Sequence, residues 1–592
     1  MMGTSQDRPV GVAGGRVSDT STAKSVTRVL VGAWPWLLAL AVTAPLLAPG
    51  FVLSYDMVFV PRQSLVPEAL GLGGPLPRAV PVDAVLAVLT QVVPGSLLQK
   101  AVLVLVLGLA GWGASLLVPG GSAVARLAAA TWYVWNPFVA ERLVLGHWTL
   151  LVGYASLPWL VRAAIDLRNE RPGAQLRVVA LLVPSALSAG PAVIALLTVV
   201  PVLAYRPTAR LTRRLGLTAA AWVVLNAPWW LPALLHPTTG RSPDDGVAAF
   251  AARAEGPVGT LGSVLGLGGV WNADVVPDSR GLVTAALFLV VLLAVSALGL
   301  RPVVSGLGGG GAGLVVAAGV GLVLALIGSV APLQEALGWA VASLPGAGLV
   351  RDGQKFLAPF ALAQALAFAL GCVAVGRYLG AGAVRVVPAV LLLLPLAVLP
   401  DLAWGVGGRL QPVDYPDDWS VVRQLVADEP DSGDVVALPW QSFRRFDWND
   451  DRVVLDPAPR WLTTTVVVDD TLTVAGRTVA GEDPRAAEVG SVLRAGLPLV
   501  EALPPLGIGW VLVERRTPGS LDRESLSGAT TVFSGADLEL VRLGPTTSPE
   551  LPPWAPAVVV VDLLAVMVAL GATAGAVASR LLGRARALPG RW

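Results

Sequence analysis

Apolar residues occur along this chain in long runs that are separated by short polar segments. Twelve runs are long enough, or nearly so, to cross about 30 Å of hydrocarbon as helices. They cover residues 29–50, 101–118, 124–140, 149–165, 178–190, 191–204, 215–235, 281–300, 305–330, 356–376, 383–400 and 554–578. The fifth and sixth runs are short and meet at Gly190-Pro191, where a helical hairpin that does not fully cross is an alternative. The pattern therefore predicts a mainly α transmembrane helical bundle with ten to twelve spans.

The composition agrees with a polytopic membrane protein and excludes other classes. Of the 592 residues, 54% are hydrophobic and 14% are charged, whereas soluble domains carry about 25% charged residues. Disordered chains are poor in apolar residues, so disorder is excluded as well. The net charge of +2 gives no basis for a nucleic-acid partner. With one cysteine and two histidines, a disulfide framework and a cysteine- or histidine-rich metal centre are also excluded.

The distribution of Lys and Arg predicts the orientation of the chain in the membrane. If the N-terminus lies inside, the inner segments hold 20 of these residues and the outer loops hold nine. Cytoplasmic loops carry the excess of positive charge, so we expect both termini inside a multi-pass protein of the plasma membrane. Residues 1–28 are then a disordered cytoplasmic tail, and residues 579–592 are a basic cytoplasmic tail.

One segment between the last two runs is polar. Residues 401–553 hold 24 of the 40 acidic residues and combine strand-like runs with helical patterns. The strand-like runs are 434–438, 463–469, 509–513 and 537–541, and the helical patterns are 418–428 and 485–497. We expect a small extracytoplasmic α/β domain at 401–553, followed by the last transmembrane helix at 554–578. The transmembrane body is expected at 29–400, with outer loops 51–100, 141–148, 236–280 and 331–355.

Asp56 is the first candidate catalytic residue. It follows the first predicted span by six residues, and apolar and aromatic residues flank it. A carboxylate in a partly desolvated site can accept a hydroxyl proton as a general base. A helix cap or a surface charge is the alternative interpretation, and the local sequence leaves both open.

A second cluster of polar residues follows the helix-breaking pair Asn136-Pro137. Glu141 is a candidate second catalytic acid or metal ligand. Arg142 is a candidate phosphate-binding residue because its guanidinium is permanently charged, and His147 can titrate near neutral pH in a substrate site. The alternative is a Glu–Arg pair that closes a loop beside an interfacial histidine.

The third cluster lies just before the tenth predicted span, in Arg351-Asp-Gly-Gln354-Lys355. The chain has three lysines in all, and Lys355 lies four residues after Arg351, which places both cations on one helical face. Two cations at the outer interface are suited to a lipid phosphate, with Gln354 as a further substrate contact. The alternative is a pair of side chains that extend to the interface from a span end.

No cofactor and no metal-binding residues are predicted, although a divalent cation is possible. The carboxylate pairs Asp244-Asp245 and Asp469-Asp470 are suited to such a cation, but solvated loop pairs are the simpler interpretation. The sequence contains no Walker motif and no dinucleotide fingerprint. ATP-driven transport by this chain alone is therefore not indicated.

These motifs resemble the GT-C superfamily of polytopic membrane glycosyltransferases, in particular actinobacterial arabinofuranosyl- and mannosyltransferases of cell-wall biogenesis. Besides the early acid of the first outer loop, five sequence runs carry the resemblance. They are Asn136-Pro-Phe-Val-Ala-Glu-Arg142, Gly146-His-Trp148, Gly153-Tyr-Ala-Ser-Leu-Pro-Trp159, Asn226-Ala-Pro-Trp-Trp-Leu-Pro232 and Arg351-Asp-Gly-Gln-Lys-Phe356.

The resemblance implies transfer of a sugar from a polyprenyl-phosphate donor to an envelope glycan or lipid acceptor at the outer face of the bilayer. It implies Asp56 as the base and matches Glu141 loosely to a second-loop acid. The first outer loop has no Asp-x-Asp, so the resemblance does not imply a metal. The alternatives are a transporter or flippase for lipid-linked glycans, which would need a polar path through several spans, and a non-catalytic scaffold.

Overall fold

A computed structural model of the chain describes residues 17–238, 242, 245–379, 383–474, 476–519 and 521–587. Most of the N-terminal tail, the end of the basic tail and Asp244 lie outside these residues, as does the side chain of Asp245. Residues 17–28, which were expected to belong to a disordered tail, are described and form the start of the helix Val17–Thr43.

The described part of the chain is mainly helical. Its helices are α1 (Val17–Thr43), α2 (Val82–Leu89), α3 (Gly95–Leu117), α4 (Ala123–Val134), α5 (Pro137–Val144), α6 (Trp148–Arg168), α7 (Ala174–Leu182), α8 (Ala189–Ala204), α9 (Ala209–Leu235), α10 (Asp245–Ala249), α11 (Gly259–Leu265), α12 (Val283–Leu307), α13 (Gly309–Ile327), α14 (Ala331–Ser343), α15 (Ala358–Tyr378), α16 (Ala383–Val398), α17 (Ala403–Gly407), α18 (Asp418–Ala427), α19 (Ala458–Trp461), α20 (Pro484–Arg494), α21 (Leu499–Ala502) and α22 (Ala555–Ala587). We call the helices α1 to α16 the helical body.

Within the described residues, eight helices are long and apolar enough to cross a membrane, or nine if a bent pair at 386–407 is one span. This number is lower than the expected ten to twelve. The difference lies in the third, fifth and sixth apolar runs. The fifth and sixth correspond to two short apolar segments, Ala174–Leu187, which is α7 followed by a 3₁₀ turn, and Ala189–Ala204, which is α8.

The third apolar run is two helices rather than one, because Asn136 and Pro137 separate α4 from α5. Asn136 is the N-cap of α5, and its side chain accepts a hydrogen bond from the N–H of Val139 at 3.1 Å. Pro137 occupies the first helical position, where a missing N–H costs nothing. As a result, Glu141 and Arg142 lie on a short, fully buried helix instead of an exposed loop.

The strands of the described residues lie in the C-terminal part of the chain, apart from the first. They are β1 (Phe51–Val52), β2 (Pro412–Val413), β3 (Asp434–Leu438), β4 (Phe443–Arg445), β5 (Val453–Leu455), β6 (Val466–Val467), β7 (Leu472–Val474), β8 (Arg477–Val479), β9 (Ile508–Glu514), β10 (Thr530–Ser534) and β11 (Leu538–Arg542). We call residues 412–542 the sheet domain.

The main sheet of this domain is five-stranded, in the order β10-β11-β9-β3-β6. Strand β3 runs parallel to both β6 and β9, whereas β11 is antiparallel to β9 and β10. Strands β3 and β9 are buried along their whole length, which is why they read as continuous apolar runs. All four predicted strand regions and both predicted helices of this segment are present.

The segment after the first span joins the helical body to the sheet domain. Strand β1 pairs with β2, so Phe51 lies opposite Val413. Further along, the N–H of Tyr55 donates to the carbonyl of Val453 at 2.6 Å, and the N–H of Leu455 donates to the carbonyl of Tyr55 at 2.8 Å. These backbone hydrogen bonds fix the residue that follows, Asp56, at the boundary between the two parts.

Candidate active site

A cavity of about 1300 Å³ lies between the helical body and the sheet domain. We call it the junction cavity. Charged side chains from both parts line it, among them Asp56, Arg78, Asp83, Arg142, His147, Arg253, Asp274, Arg351, Asp352, Lys355, Arg445, Arg460, Asp469, Asp470 and Glu482. Its aromatic lining comprises Tyr55, Trp148, Trp222, Trp229, Trp230, Phe250, Trp271 and Phe443. Most of the candidate site residues from separate parts of the sequence therefore meet in one space.

Arg142 is the centre of a buried hydrogen-bond network beside this cavity. Its Nε donates to Gln354 Oε1 at 3.0 Å, and a second hydrogen bond to the same oxygen comes from Nη2. Both Nη atoms also bind Asp352, at 2.8 and 3.1 Å, and Nη1 further donates to His147 Nδ1 at 2.8 Å. A guanidinium has five N–H donors, so every donor of Arg142 is used within the protein.

The contact with Arg142 fixes the position of the proton on His147. Because a guanidinium has no acceptor, Nδ1 of His147 must accept in this hydrogen bond. A neutral His147 ring then carries its hydrogen on Nε2, and that nitrogen lies 3.1 Å from Oδ2 of Asp56. The side chain of Asp56 is 48% exposed, so the cavity can supply a further partner for its carboxylate.

Asp352 holds Arg142 from the opposite side. Burial by itself would raise the pKa of the Asp352 carboxyl, but the charge and hydrogen bonds of Arg142 lower this pKa to about 2. The carboxylate is therefore ionised across the physiological pH range and forms a two-point ion pair with Arg142.

This depressed pKa predicts a pH dependence of stability. A carboxyl whose pKa falls from 3.8 in the unfolded chain to about 2 in the folded chain stabilises the fold above pH 3.8. That contribution is lost as the pH falls towards 2. We expect wild type to lose more thermal stability than Asp352→Asn across this interval, measured as the melting temperature in lipid nanodiscs. If the melting temperatures of the two proteins fell in parallel as the pH was lowered, the stabilising role of the ion pair between Arg142 and Asp352 would be contradicted.

Glu141 and Gln354 lie behind the cavity wall rather than in its lining. Both are fully buried, and Gln354 Nε2 donates to Glu141 Oε2 at 3.1 Å. Burial, followed by the neighbouring carboxylate of Glu255, raises the pKa of Glu141 well above its usual value. Glu255 is itself paired with Arg280 at 3.0 Å. Glu141 therefore lies out of reach of a ligand in the cavity, where it holds the side-chain amide of Gln354 in place.

Arg351 and Lys355 line the cavity and keep unused donors. Nη1 of Arg351 lies 3.6 Å from Oε1 of Glu482, and neither of these buried atoms makes a hydrogen bond. Burial, reinforced by the charge of Arg78, lowers the pKa of Arg351. The ammonium of Lys355 lies 5.4 Å from the ring of Phe356 and, among the described residues, forms no ion pair with a carboxylate. Such groups are suited to an anionic ligand.

The acidic pair predicted as a possible cation site is engaged in local structure. Asp469 accepts from the N–H of Thr471 at 3.0 Å, and Asp470 accepts from the N–H of Asp483 at 2.8 Å. Among the described residues, no group of three or more His, Cys, Asp or Glu side chains is arranged to hold a metal ion.

The structure thus brings together the seven residues that the sequence indicated, but they lie at different depths relative to the cavity. Asp56, Arg142, His147, Arg351 and Lys355 line the cavity, whereas Glu141 and Gln354 lie behind it. Sequence reasoning missed Asp352, Glu482 and Glu255. For Asp352 a signal was present, because it lies inside the Arg351–Phe356 motif; nothing local distinguished the other two from ordinary loop acids.

Comparisons with known proteins concern the fold. No protein-family model and no curated protein matches this chain. The cryo-EM structure of the arabinofuranosyltransferase AftD from Mycobacteria aligns with 88% of this chain and 40% of its own length, at 19% identity and a TM-score of 0.54. ArnT from Cupriavidus metallidurans aligns with 89% of this chain and 98% of its own, at 13% identity and a TM-score of 0.40. The archaeal oligosaccharyltransferase AglB from Archaeoglobus fulgidus aligns with 84% of this chain and 70% of its own, at 13% identity and a TM-score of 0.32.

Of these three, AftD has the highest TM-score, 0.54. At 19% identity its likeness to this chain concerns the fold alone. The chain spans about 40% of the length of AftD. The chain therefore shares a mainly helical membrane fold with the AftD structure and adds a small sheet-containing domain, which confirms the fold class expected from the sequence.

Proposed function

We propose that this protein is a membrane glycosyltransferase that transfers a sugar from a polyprenyl-phosphate donor to a hydroxyl of an envelope glycan or lipid acceptor. The observation that carries the proposal is the junction cavity, where the exposed carboxylate of Asp56 faces the same space as two cations with unused donors, Arg351 and Lys355. The fold shared with AftD agrees with it, and arabinofuranosyl transfer, the activity of AftD, is one form that the reaction can take.

In the proposed reaction the acceptor hydroxyl oxygen attacks the anomeric carbon of the donor sugar. The bond between that carbon and the phosphate oxygen breaks, and the polyprenyl phosphate leaves with the electron pair. Asp56 accepts the hydroxyl proton during the attack. Attack from the face opposite the leaving phosphate inverts the anomeric configuration.

The donor phosphate is assigned to Arg351 and Lys355. The leaving group gains negative charge as its bond breaks, and nearby cations stabilise that charge. Arg142 is not assigned to the phosphate, because its five donors are already bound to protein atoms. Its role is to hold Asp352, three residues before Lys355.

Substitution of the two cations is expected to weaken donor binding. Arg351→Gln and Lys355→Gln each remove a charge-assisted contact worth about 1.5–3 kcal/mol, so the KM for the donor rises about tenfold or more. Lys100→Gln is the matched control, because Lys100 does not line the cavity. A donor KM that stays unchanged in both variants would remove the phosphate assignment.

The reaction is proposed for the outer face of the plasma membrane, with both termini inside. The charge distribution supports this orientation, with 20 Lys and Arg on inner segments and nine on outer loops. The pairing of β1 with β2 and the hydrogen bonds of Tyr55 keep Asp56 and the sheet domain on one side. In this orientation that side is extracytoplasmic.

A transporter is less well supported than an enzyme. Two of the polar side chains within the spans, those of Gln364 and Asn226, are hydrogen-bonded to neighbouring protein atoms, whereas Asp562 Oδ1 and Ser296 Oγ make no hydrogen bond among the described residues. Gln364 accepts from Trp132 Nε1 at 3.0 Å and donates to the carbonyl of Leu265 at 2.9 Å. Asn226 donates to the carbonyl of Trp222 at 2.8 Å and accepts from Trp229 Nε1 at 2.9 Å.

The decisive experiment is sugar transfer by the purified protein in lipid nanodiscs. A panel of radiolabelled polyprenyl-phosphate pentoses and hexoses would be offered with an arabinan or mannan acceptor. Labelled acceptor is the expected product. A folded protein that labels no acceptor from the whole panel, but moves labelled donor between leaflets of liposomes, would replace this proposal with transport.

A further inference from the structure

We propose that His147 is a positioning residue that orients the carboxylate of Asp56 for proton transfer, with its own proton placed by Arg142. The inference rests on the proposed function, because it assigns a role to a neighbour of the proposed base. It differs from the sequence-based interpretation, in which His147 binds substrate directly.

The first step of the argument is the direction of the hydrogen bonds. Arg142 Nη1 donates to His147 Nδ1 at 2.8 Å, and Arg142 cannot accept. The ring hydrogen of neutral His147 is therefore on Nε2, which lies 3.1 Å from Asp56 Oδ2. In the free protein this is a close contact rather than an aligned hydrogen bond, and catalytic hydrogen bonds often align only when the substrate binds.

The second step is rigidity. The backbone N–H of Asp56 donates to the carbonyl of Leu145 at 3.1 Å, and the N–H of His147 donates to the carbonyl of Arg142 at 2.9 Å. Gly146, at φ +71°, leaves no room for a Cβ, which would lie 2.1 Å from the backbone N of Met57. The backbones that carry base and histidine are thus packed directly against each other.

The third step is what remains free on the base. Among the described residues, His147 is the polar partner of the Asp56 carboxylate, and it contacts Oδ2 alone. Oδ1 is then the oxygen that accepts the proton of the acceptor hydroxyl. Arg142 also holds Asp352, so one buried arginine sets both the orientation of the base and the loop that carries Lys355.

Three variants of His147 separate this role from a substrate contact. The amide nitrogen of Gln can reach the position of Nε2 and donate to Asp56, whereas the shorter Asn can still accept from Arg142 but does not reach Asp56. We expect His147→Asn and His147→Ala to lower kcat about 10- to 100-fold with an unchanged donor KM. His147→Gln is expected to recover most of the lost turnover.

Two results would overturn the inference. One is a raised donor or acceptor KM with normal kcat in His147→Asn, which would make His147 a substrate contact. The other is equal kcat in the Gln and Asn variants at equal melting temperature. If wild type transfers no sugar from any donor, the proposed function fails instead, and these kinetic comparisons do not apply.

A second measurement tests the geometry without any activity. The chain has two histidines, so ¹⁵N-histidine NMR of the protein in nanodiscs gives few signals, and His236→Gln assigns them. We expect His147 to have a bare Nδ1 and a protonated Nε2, with an Nε2 shift that changes in Asp56→Asn. A hydrogen on Nδ1, or an Nε2 signal that does not change in Asp56→Asn, would exclude the proposed contact between His147 and Asp56, whatever reaction the protein catalyses.

Discussion

Replacement of Asp56 by Asn is expected to lower the rate of sugar transfer by about 10²–10⁴-fold, the usual contribution of a general base. Asn has nearly the same shape but cannot accept and retain a hydroxyl proton at neutral pH. The side chain is 48% exposed, so the substitution leaves no buried group unpaired and folding is unaffected. Single-turnover transfer in nanodiscs measures the effect on chemistry separately from product release.

Asp274→Asn is the matched control for this experiment. Asp274 also lines the junction cavity and is exposed, so its replacement changes the cavity charge by the same amount. The control is expected to keep near-normal turnover. If both variants lose activity equally, the effect is one of charge alone; if Asp56→Asn keeps full activity, Asp56 is not the base.

The largest expected effect on stability is that of Arg142→Met. Arg142 is fully buried, and its removal leaves the Asp352 carboxylate without its guanidinium and Gln354 without a donor. Breaking a buried ion pair from one side typically costs about 3–5 kcal/mol. We expect a clearly lower melting temperature in nanodiscs and loss of transfer activity even at temperatures where the protein remains folded.

Arg445→Met provides the comparison for Arg142→Met. Arg445 lines the same cavity but is exposed, and its guanidinium donates to the carbonyl of Asp451 at 3.3 Å. Its replacement is expected to leave the melting temperature nearly unchanged. A further test is Arg142→Met combined with Asp352→Asn, which removes the uncompensated charge and is expected to recover part of the stability. No recovery would mean that the ion pair is not the source of the loss.

The positions of most spanning helices and of the sheet domain were predictable from the sequence, because both depend on local patterns of apolar residues. Long apolar runs identify spans whatever their neighbours are, since each crossing requires its own hydrophobic length. The strands β3 and β9 were equally clear, because a strand buried on both faces is a continuous apolar run. The run 124–140 was predicted as one span, although the Asn136-Pro137 break was visible; apolarity does not distinguish a span from two short buried helices.

The identity of the candidate residues was also readable from the sequence, because ionisable groups are rare in so apolar a chain. Asp56, Arg142 and Lys355 stood out for that reason. Their roles could not be read in the same way. A hydrogen-bond partner 210 residues away, such as Asp352 for Arg142, leaves no periodic signal.

The sequence by itself therefore determined that this chain is a helical membrane protein with a small α/β domain and a few costly charges near the spans. Only the tertiary structure decided which of those charges remain available to a ligand. Arg142 has all its donors satisfied, Glu141 is buried behind the cavity wall, and Arg351 and Lys355 keep unused donors. The physical reason is that hydropathy is a property of each residue, whereas the pairing of a charge depends on contacts between residues far apart in the chain.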